Sequence, residues 1–170
     1  MLPCRLMARC HTAAISGIAN AVGYKIRFWK KSDDGSGKAT LIKSANTQDL
    51  VRGVLFKIDI NDLSNLDAAE GEGMGYNRDG HFTVSTESDE HVSSVAYIAD
   101  SACCCEQSIP YDWYRDLVLV GARYHQFPDD YLKNLQAVTC GVDPSVRRPR
   151  RRDALQLLSR HKAGMCCCAV

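Results

Sequence analysis

The order in which strand-type and helix-type patterning occur constrains the fold of this chain more than any other feature. Short alternating segments fill the first hundred residues, and sustained helical periodicity follows only after Pro110. Tyr24, Ile26 and Phe28 alternate with Lys25, Arg27 and Trp29, which predicts a half-buried strand. The polar run from Lys31 to Lys38 reads as a turn, followed by a short strand over Ala39–Ile42. Val51–Ile58 is a second strong strand, in which Gly53 predicts a bulge or a close backbone approach. His81–Ser85 and Ser93–Ile98 add two more. A short helix is expected from Asn61, a good N-cap, with Asp62 placing negative charge in its first turn. Leu63 and Leu66 share its core-facing side. Further helices are expected from about Asp112 to His125, with Trp113, Leu117, Val118, Val120 and Gly121 as the buried stripe, and from Pro128 through Tyr131 and Leu135. Strands first and helices mostly later indicate an α+β class.

A length of 170 residues suits one domain of ordinary size, and 45% hydrophobic residues supply a core. Collagen-like, coiled-coil and multi-pass membrane classes are excluded by composition. Lys and Arg number 21 against 20 Asp and Glu, so the net charge of +1 gives no overall attraction to nucleic acid. The charges are unevenly placed. No acid precedes Asp33, and Arg147, Arg148, Arg150, Arg151 and Arg152 almost adjoin near the other end. From Pro144 the chain reads as an exposed linker, with Asp153–His161 as a short amphipathic helix. The expected division is a domain over 1–143 and a basic, Cys-rich tail over 144–170.

The nine cysteines include the triplets Cys103–Cys105 and Cys166–Cys168, but no CxxC pair, so no metal site is expected. A reducing, cytoplasmic setting is the economical reading, and Cys103–Cys105 reads as a small-residue loop. The first twenty residues have the acid-free composition of a transit peptide. Gly17 and Asn20 break the apolar part, however, and the segment is assigned to the fold. The terminal Cys167-Cys168-Ala169-Val170 loosely fits a prenylation box. With the arginines upstream it implies weak or lipid-assisted membrane association; the plainer alternative is a tail with incidental cysteines.

The most informative stretch is Leu66-Asp67-Ala68-Ala69-Glu70-Gly71-Glu72-Gly73-Met74-Gly75-Tyr76. It places Glu70 at the C-terminal end of a short helix, where the helix dipole disfavours a carboxylate and would make it a better proton acceptor. Gly71 leaves approach to the carboxylate open, and Tyr76 is far enough along the loop to fold back over the same pocket. Read on spacing alone, Glu70 is better explained as an ordinary solvated helix-end residue with glycine caps, because Glu-Gly pairs are common.

Leu66–Gly71 followed by Tyr76 resembles the signature of the gamma-glutamylcyclotransferase family. Pro110-Tyr111-Asp112-Trp113-Tyr114, Gly121-Ala122-Arg123 and Phe127-Pro128-Asp129-Asp130-Tyr131 resemble that family's second conserved block. The resemblance covers roughly residues 1–140. It implies a small mixed β-barrel with flanking helices. It also implies release of 5-oxoproline and a free amino acid from a gamma-glutamyl compound, by attack of the substrate's own α-amine. Glu70 is then the general acid/base, Tyr114 a substrate hydrogen-bonding residue and Tyr76 a pocket residue. No cofactor is implied. The expected partners are a small-molecule gamma-glutamyl substrate and a second copy in a homodimer.

The family begins with a strand ending in a Tyr-Gly-Ser-Asn type loop, which this sequence lacks. Met1–Leu6 resembles the segment just after it, the family's first helix. The first strand is therefore expected to be missing, with weaker substrate positioning. The alternative function is a catalytically inactive, truncated family member acting as a small-molecule or protein binding module.

Overall fold

The computed structural model describes residues 1–164. The expected prenylation box and Cys166–Cys168 lie outside the described residues.

The alternation of Tyr24–Phe28 gives the strand β2 (Tyr24–Lys31), which pairs antiparallel with β3 (Gly37–Lys43) across the polar turn. The preceding residues differ from expectation. Only Pro3–Met7 forms a helix, α1, whereas Ala14–Val22 forms a strand, β1. β1 pairs antiparallel with β4 (Leu50–Lys57) and touches β5 (Tyr76–Thr86) at Ala19–Thr86 and Asn20–Ser85. Gly53 sits in register opposite Ala19, and the irregularity falls instead on β1 between Ile15 and Gly17. β5 begins five residues earlier than expected and pairs with β6 (His91–Ala99).

The strands form a four-stranded sheet in the order β4-β1-β5-β6 and the two-stranded sheet β2-β3. All ladders among the described residues are antiparallel. β2 lies along β4 and β3 along β6, so the strands surround one core as two sheets without a continuous barrel ladder. Ala19, Ala21, Val51, Phe82 and Val84 from one sheet meet Tyr24, Ile26 and Leu41 from the other inside it. The Ala99 N–H donates to Thr40 Oγ1 at 2.9 Å across one seam.

Asp59, rather than Asn61, caps the first helical turn, its side chain accepting from the Asn61 N–H at 2.8 Å. A short 3-10 turn over Ile60–Asp62 leads into α2 (Leu63–Glu70). Leu66 packs on Leu6, Cys10 and Ala13, so α2 rests on the N-terminal segment. α3 (Asp112–Tyr124) buries Trp113, Leu117, Leu119, Val120, Gly121 and Ala122, close to the expected stripe. A Cβ at Gly121 would stand 3.3 Å from the Leu2 backbone nitrogen, so the close approach of the chain start to α3 favours glycine there.

α4 (Asp129–Gln136) packs Leu135 beneath α3. The segment expected as a linker is helical from Pro149: α5 (Pro149–Lys162) docks on α3 through Ala154 and Leu158. Proline at the first helical position and this apolar pair explain why a run so rich in arginine is ordered. The architecture is α+β with flanking helices.

Candidate active site

Glu70 is the last residue of α2, and Gly71 caps the helix in the left-handed conformation at φ 77°. The Gly71 and Glu72 N–H groups both donate to the Asp67 carbonyl, at 2.9 and 3.0 Å. This Schellman-like end stops the helix at the carboxylate. Asp67 also fixes the helix against the sheet. Its Oδ1 accepts from the Tyr97 hydroxyl of β6 and its Oδ2 from Arg78 Nη1 of β5, each at 2.6 Å. Burial, then this hydrogen bond to Asp67, push the Tyr97 hydroxyl well above the ordinary phenol range. The aspartate of the Leu-Asp-x-x-Glu-Gly block is therefore the anchor that holds Glu70 in place.

Glu70 Oε1 accepts a hydrogen bond from Arg9 Nη1, and the two side chains form a half-buried ion pair. Glu70 Oε2 has no partner among the described residues. Arg9 follows α1, which also carries Arg5, so both arginines come from the segment that supports α2.

Tyr76 and Tyr114 converge on one residue of β3. The Tyr76 hydroxyl donates to the Ala39 carbonyl at 2.8 Å, and the Tyr114 hydroxyl accepts from the Ala39 N–H at 3.2 Å. The pair is chemically asymmetric. Tyr114 retains its own proton for donation, while Tyr76 has spent its proton and retains lone pairs. Burial pushes both hydroxyls above the ordinary phenol range, and the negative charge of Glu70 adds to the rise in each. Both tyrosines thus remain protonated and lie within electrostatic range of Glu70.

Behind Tyr114 sits a buried ammonium. Lys38 Nζ donates to Asp34 Oδ2 at 2.8 Å and Ser36 Oγ at 2.6 Å. The rings of Tyr111, Trp113 and Tyr114 surround it, with Tyr114's centroid at 5.0 Å. Burial pushes Lys38 down, against the pull of Asp34. Beside Tyr76 lies the Cys103–Cys105 loop, bridged to Lys30 through Cys104. Cys103 Sγ and Lys30 crowd Gly75, and Lys30 lies 5.3 Å over the Tyr76 ring. Burial pushes the Cys104 thiol up, which suits the expected loop role better than a nucleophilic one. Among the described residues no group of His, Cys, Asp and Glu is arranged to hold a metal ion.

A separate cleft of about 490 Å³ opens between β2, the start of β4 and α4. Glu70, Tyr76 and Tyr114 do not line it, and its lining residues include no Asp, Glu, His or Cys. The three residues singled out from sequence are thus grouped at the end of α2 and the edge of β3. Arg9, Asp67, Tyr97 and Ala39 are not among the site residues that the sequence indicates. The first signal for Asp67 was its place inside the recognised block; the other three carried none.

The sequence pattern of the AIG2-like family matches residues 50–135, half of the chain, from β4 through α4 and including Glu70, Tyr76 and Tyr114. The chain belongs to the AIG2-like family. It is similar to the gamma-glutamylcyclotransferases of Bos taurus and Homo sapiens, 27% and 25% identical over 139 residues. Each alignment covers 79% of this chain and 71% of the relative. A solved gamma-glutamyl cyclotransferase shares the fold with a TM-score of 0.77 at 23% identity, covering 91% of this chain and 92% of its own. An uncharacterized Homo sapiens protein superimposes with a TM-score of 0.75 at 23% identity, over 89% of this chain and 90% of its own. The family resemblance carried by Leu66–Tyr76 and Pro110–Tyr131 is therefore that of a gamma-glutamylcyclotransferase-like AIG2 member.

Proposed function

We propose that this AIG2-like protein is a cytoplasmic gamma-glutamylcyclotransferase acting on gamma-glutamyl amino acids. The observation that carries the reading is the grouping of an anchored carboxylate, Glu70, with two protonated tyrosines hung on one backbone residue, Ala39.

In the proposed reaction the substrate's α-amine forms a bond to its own γ-carbonyl carbon, and the amide bond to the leaving amino acid breaks. The products are 5-oxoproline and the free amine. Glu70 Oε2 takes one proton from the α-ammonium, which frees the amine to attack; the same nitrogen gives up a second proton as the lactam forms, and the departing nitrogen receives both and leaves as an ammonium, so no proton is gained or lost overall. Folding the substrate chain supplies much of the rate, because the nucleophile and the electrophile are already in one molecule. Tyr114 donates its free proton to a substrate oxygen. Tyr76 offers an acceptor and forms one wall. Arg9 holds the carboxylate by one oxygen and leaves the other for proton transfer.

The test is 5-oxoproline release from a gamma-glutamyl dipeptide by the wild-type chain and by Glu70→Gln. Turnover by the wild type and none by the folded variant is the expected result. An equal rate in Glu70→Gln refutes the role of Glu70. Ligand-induced thermal stabilisation of the wild type without turnover instead identifies a binding module.

A further inference from the structure

We propose that the outer face of α5, with the loop that precedes it, is a docking surface for an anionic lipid membrane. The net charge of +1 conceals a strongly polarised chain. Residues 144–164 carry seven Lys and Arg residues against one acid, Asp153, on an otherwise acidic body. Among the described residues, only Arg148 of the seven is held by a carboxylate, that of Asp143. Arg147, Arg150, Arg151, Arg152, Arg160 and Lys162 form no ion pair among the described residues. Docking of Ala154 and Leu158 on α3 turns the remaining side of the helix outward, and Arg147, Arg150, Arg152, Arg160 and Lys162 are exposed.

Apolar side chains protrude through this basic face. Val142 is 78% exposed, Val146 65% and Leu155 42%. They lie close to the arginines along the chain. Arg151 Nη1 donates to the Val146 carbonyl at 3.4 Å, Leu155 follows Arg151 by one helical turn, and Val142 adjoins the aspartate that holds Arg148. Exposed valine and leucine interspersed with arginine along the chain fit the boundary between lipid headgroups and acyl chains, where the charges meet anionic headgroups and the apolar tips lose water. Nucleic acid fits less well, because residues 142–164 contain no Phe, Tyr or Trp on which a base can stack. No helix among the described residues is long and apolar enough to cross a membrane, so α5 would lie on the surface. The mode differs from lipidation of the terminal cysteines, since it needs only residues of the folded chain.

The experiment is vesicle co-sedimentation of the full chain produced in bacteria, which attach no prenyl group. Phosphatidylserine-containing vesicles are compared with pure phosphatidylcholine vesicles and with single-stranded RNA, at low and high salt. The expected result is sedimentation with phosphatidylserine only, reversed by high salt. The triple variant Arg150→Gln, Arg151→Gln, Arg152→Gln should bind on the order of 100-fold more weakly, at about five-fold per charge. Val142→Ser with Val146→Ser should bind several-fold more weakly at unchanged charge. Circular dichroism and melting of both variants check that the fold is kept. Absence of phosphatidylserine-dependent sedimentation, full binding by the triple variant, no loss in the double valine variant, or tighter binding to RNA each overturns the proposal. None of these readouts depends on turnover.

Discussion

Asp143 is the junction through which α5 and the preceding loop are fixed to the core, and replacing it should destabilise the whole domain. Its side chain is fully buried and accepts four hydrogen bonds. They come from Trp113 Nε1 at 3.1 Å, Arg148 Nε at 2.8 Å, Arg148 Nη2 at 3.3 Å and the Ser145 N–H at 2.9 Å. Asp143→Ala leaves the Trp113 N–H without an acceptor. Trp113 is only 4% exposed and cannot turn to water, so that orphan costs about 1–3 kcal/mol. Loss of the Ser145 bond adds about 0.5–1.5 kcal/mol. Arg148 is partly exposed and turns to solvent, so no cost is assigned to it. The sum, about 1.5–4.5 kcal/mol, corresponds to a fall in Tm on the order of 10 °C for a chain of this length.

Equilibrium urea unfolding, followed by tryptophan fluorescence and far-UV circular dichroism, measures it. Asp143→Asn keeps an acceptor for Trp113 and should lose less. Adding Trp113→Phe to Asp143→Ala removes the orphan, so the double variant should be less destabilised than the sum of the singles by about 1–3 kcal/mol. A change below about 0.5 kcal/mol in Asp143→Ala, or strict additivity in the double variant, refutes the argument.

Two further outcomes follow from the geometry around Ala39 and Lys38. Tyr114→Phe removes the acceptor of the Ala39 N–H and the proton proposed for the substrate; it should lower kcat/KM on the order of tenfold and cost about 1 kcal/mol of stability, read from steady-state kinetics and a thermal melt. Acid should destabilise the domain through Asp34: burial raises this carboxyl, but hydrogen bonds from Lys38, the Ser36 hydroxyl and the Ser36 N–H outweigh it and hold it at about 2. Its folded value lies below the unfolded one of about 3.9, so the stability it contributes is complete above that pH and is lost as pH falls toward about 2. Urea midpoints measured down this range should fall more steeply for wild type than for Asp34→Asn; parallel curves exclude Asp34 as the group responsible.

Local signals in the sequence determined the helix that ends at Glu70 and its left-handed Gly71 cap. They also determined the strand over Tyr24–Phe28 and the buried stripe of α3. Each is written in spacings of two to four residues, which the backbone geometry of one element reads directly. Glu70, Tyr76 and Tyr114 were legible for the same reason, as members of two contiguous blocks. Tertiary structure decided the rest. Ala14–Val22 carries Gly17 and Asn20 and reads poorly as a strand, yet it becomes one because β4 and β5 offer their edges to it. Arg9 meets Glu70 across 61 positions, and Ala39 meets Tyr114 across 75. The arginine-rich end looks like a solvated linker until Ala154 and Leu158 find α3, and Asp143 finds Trp113 thirty positions away. Such contacts have no local spacing to announce them. They form only after the chain has closed long loops, and the free energy that selects them comes from burial and hydrogen bonding in the assembled core.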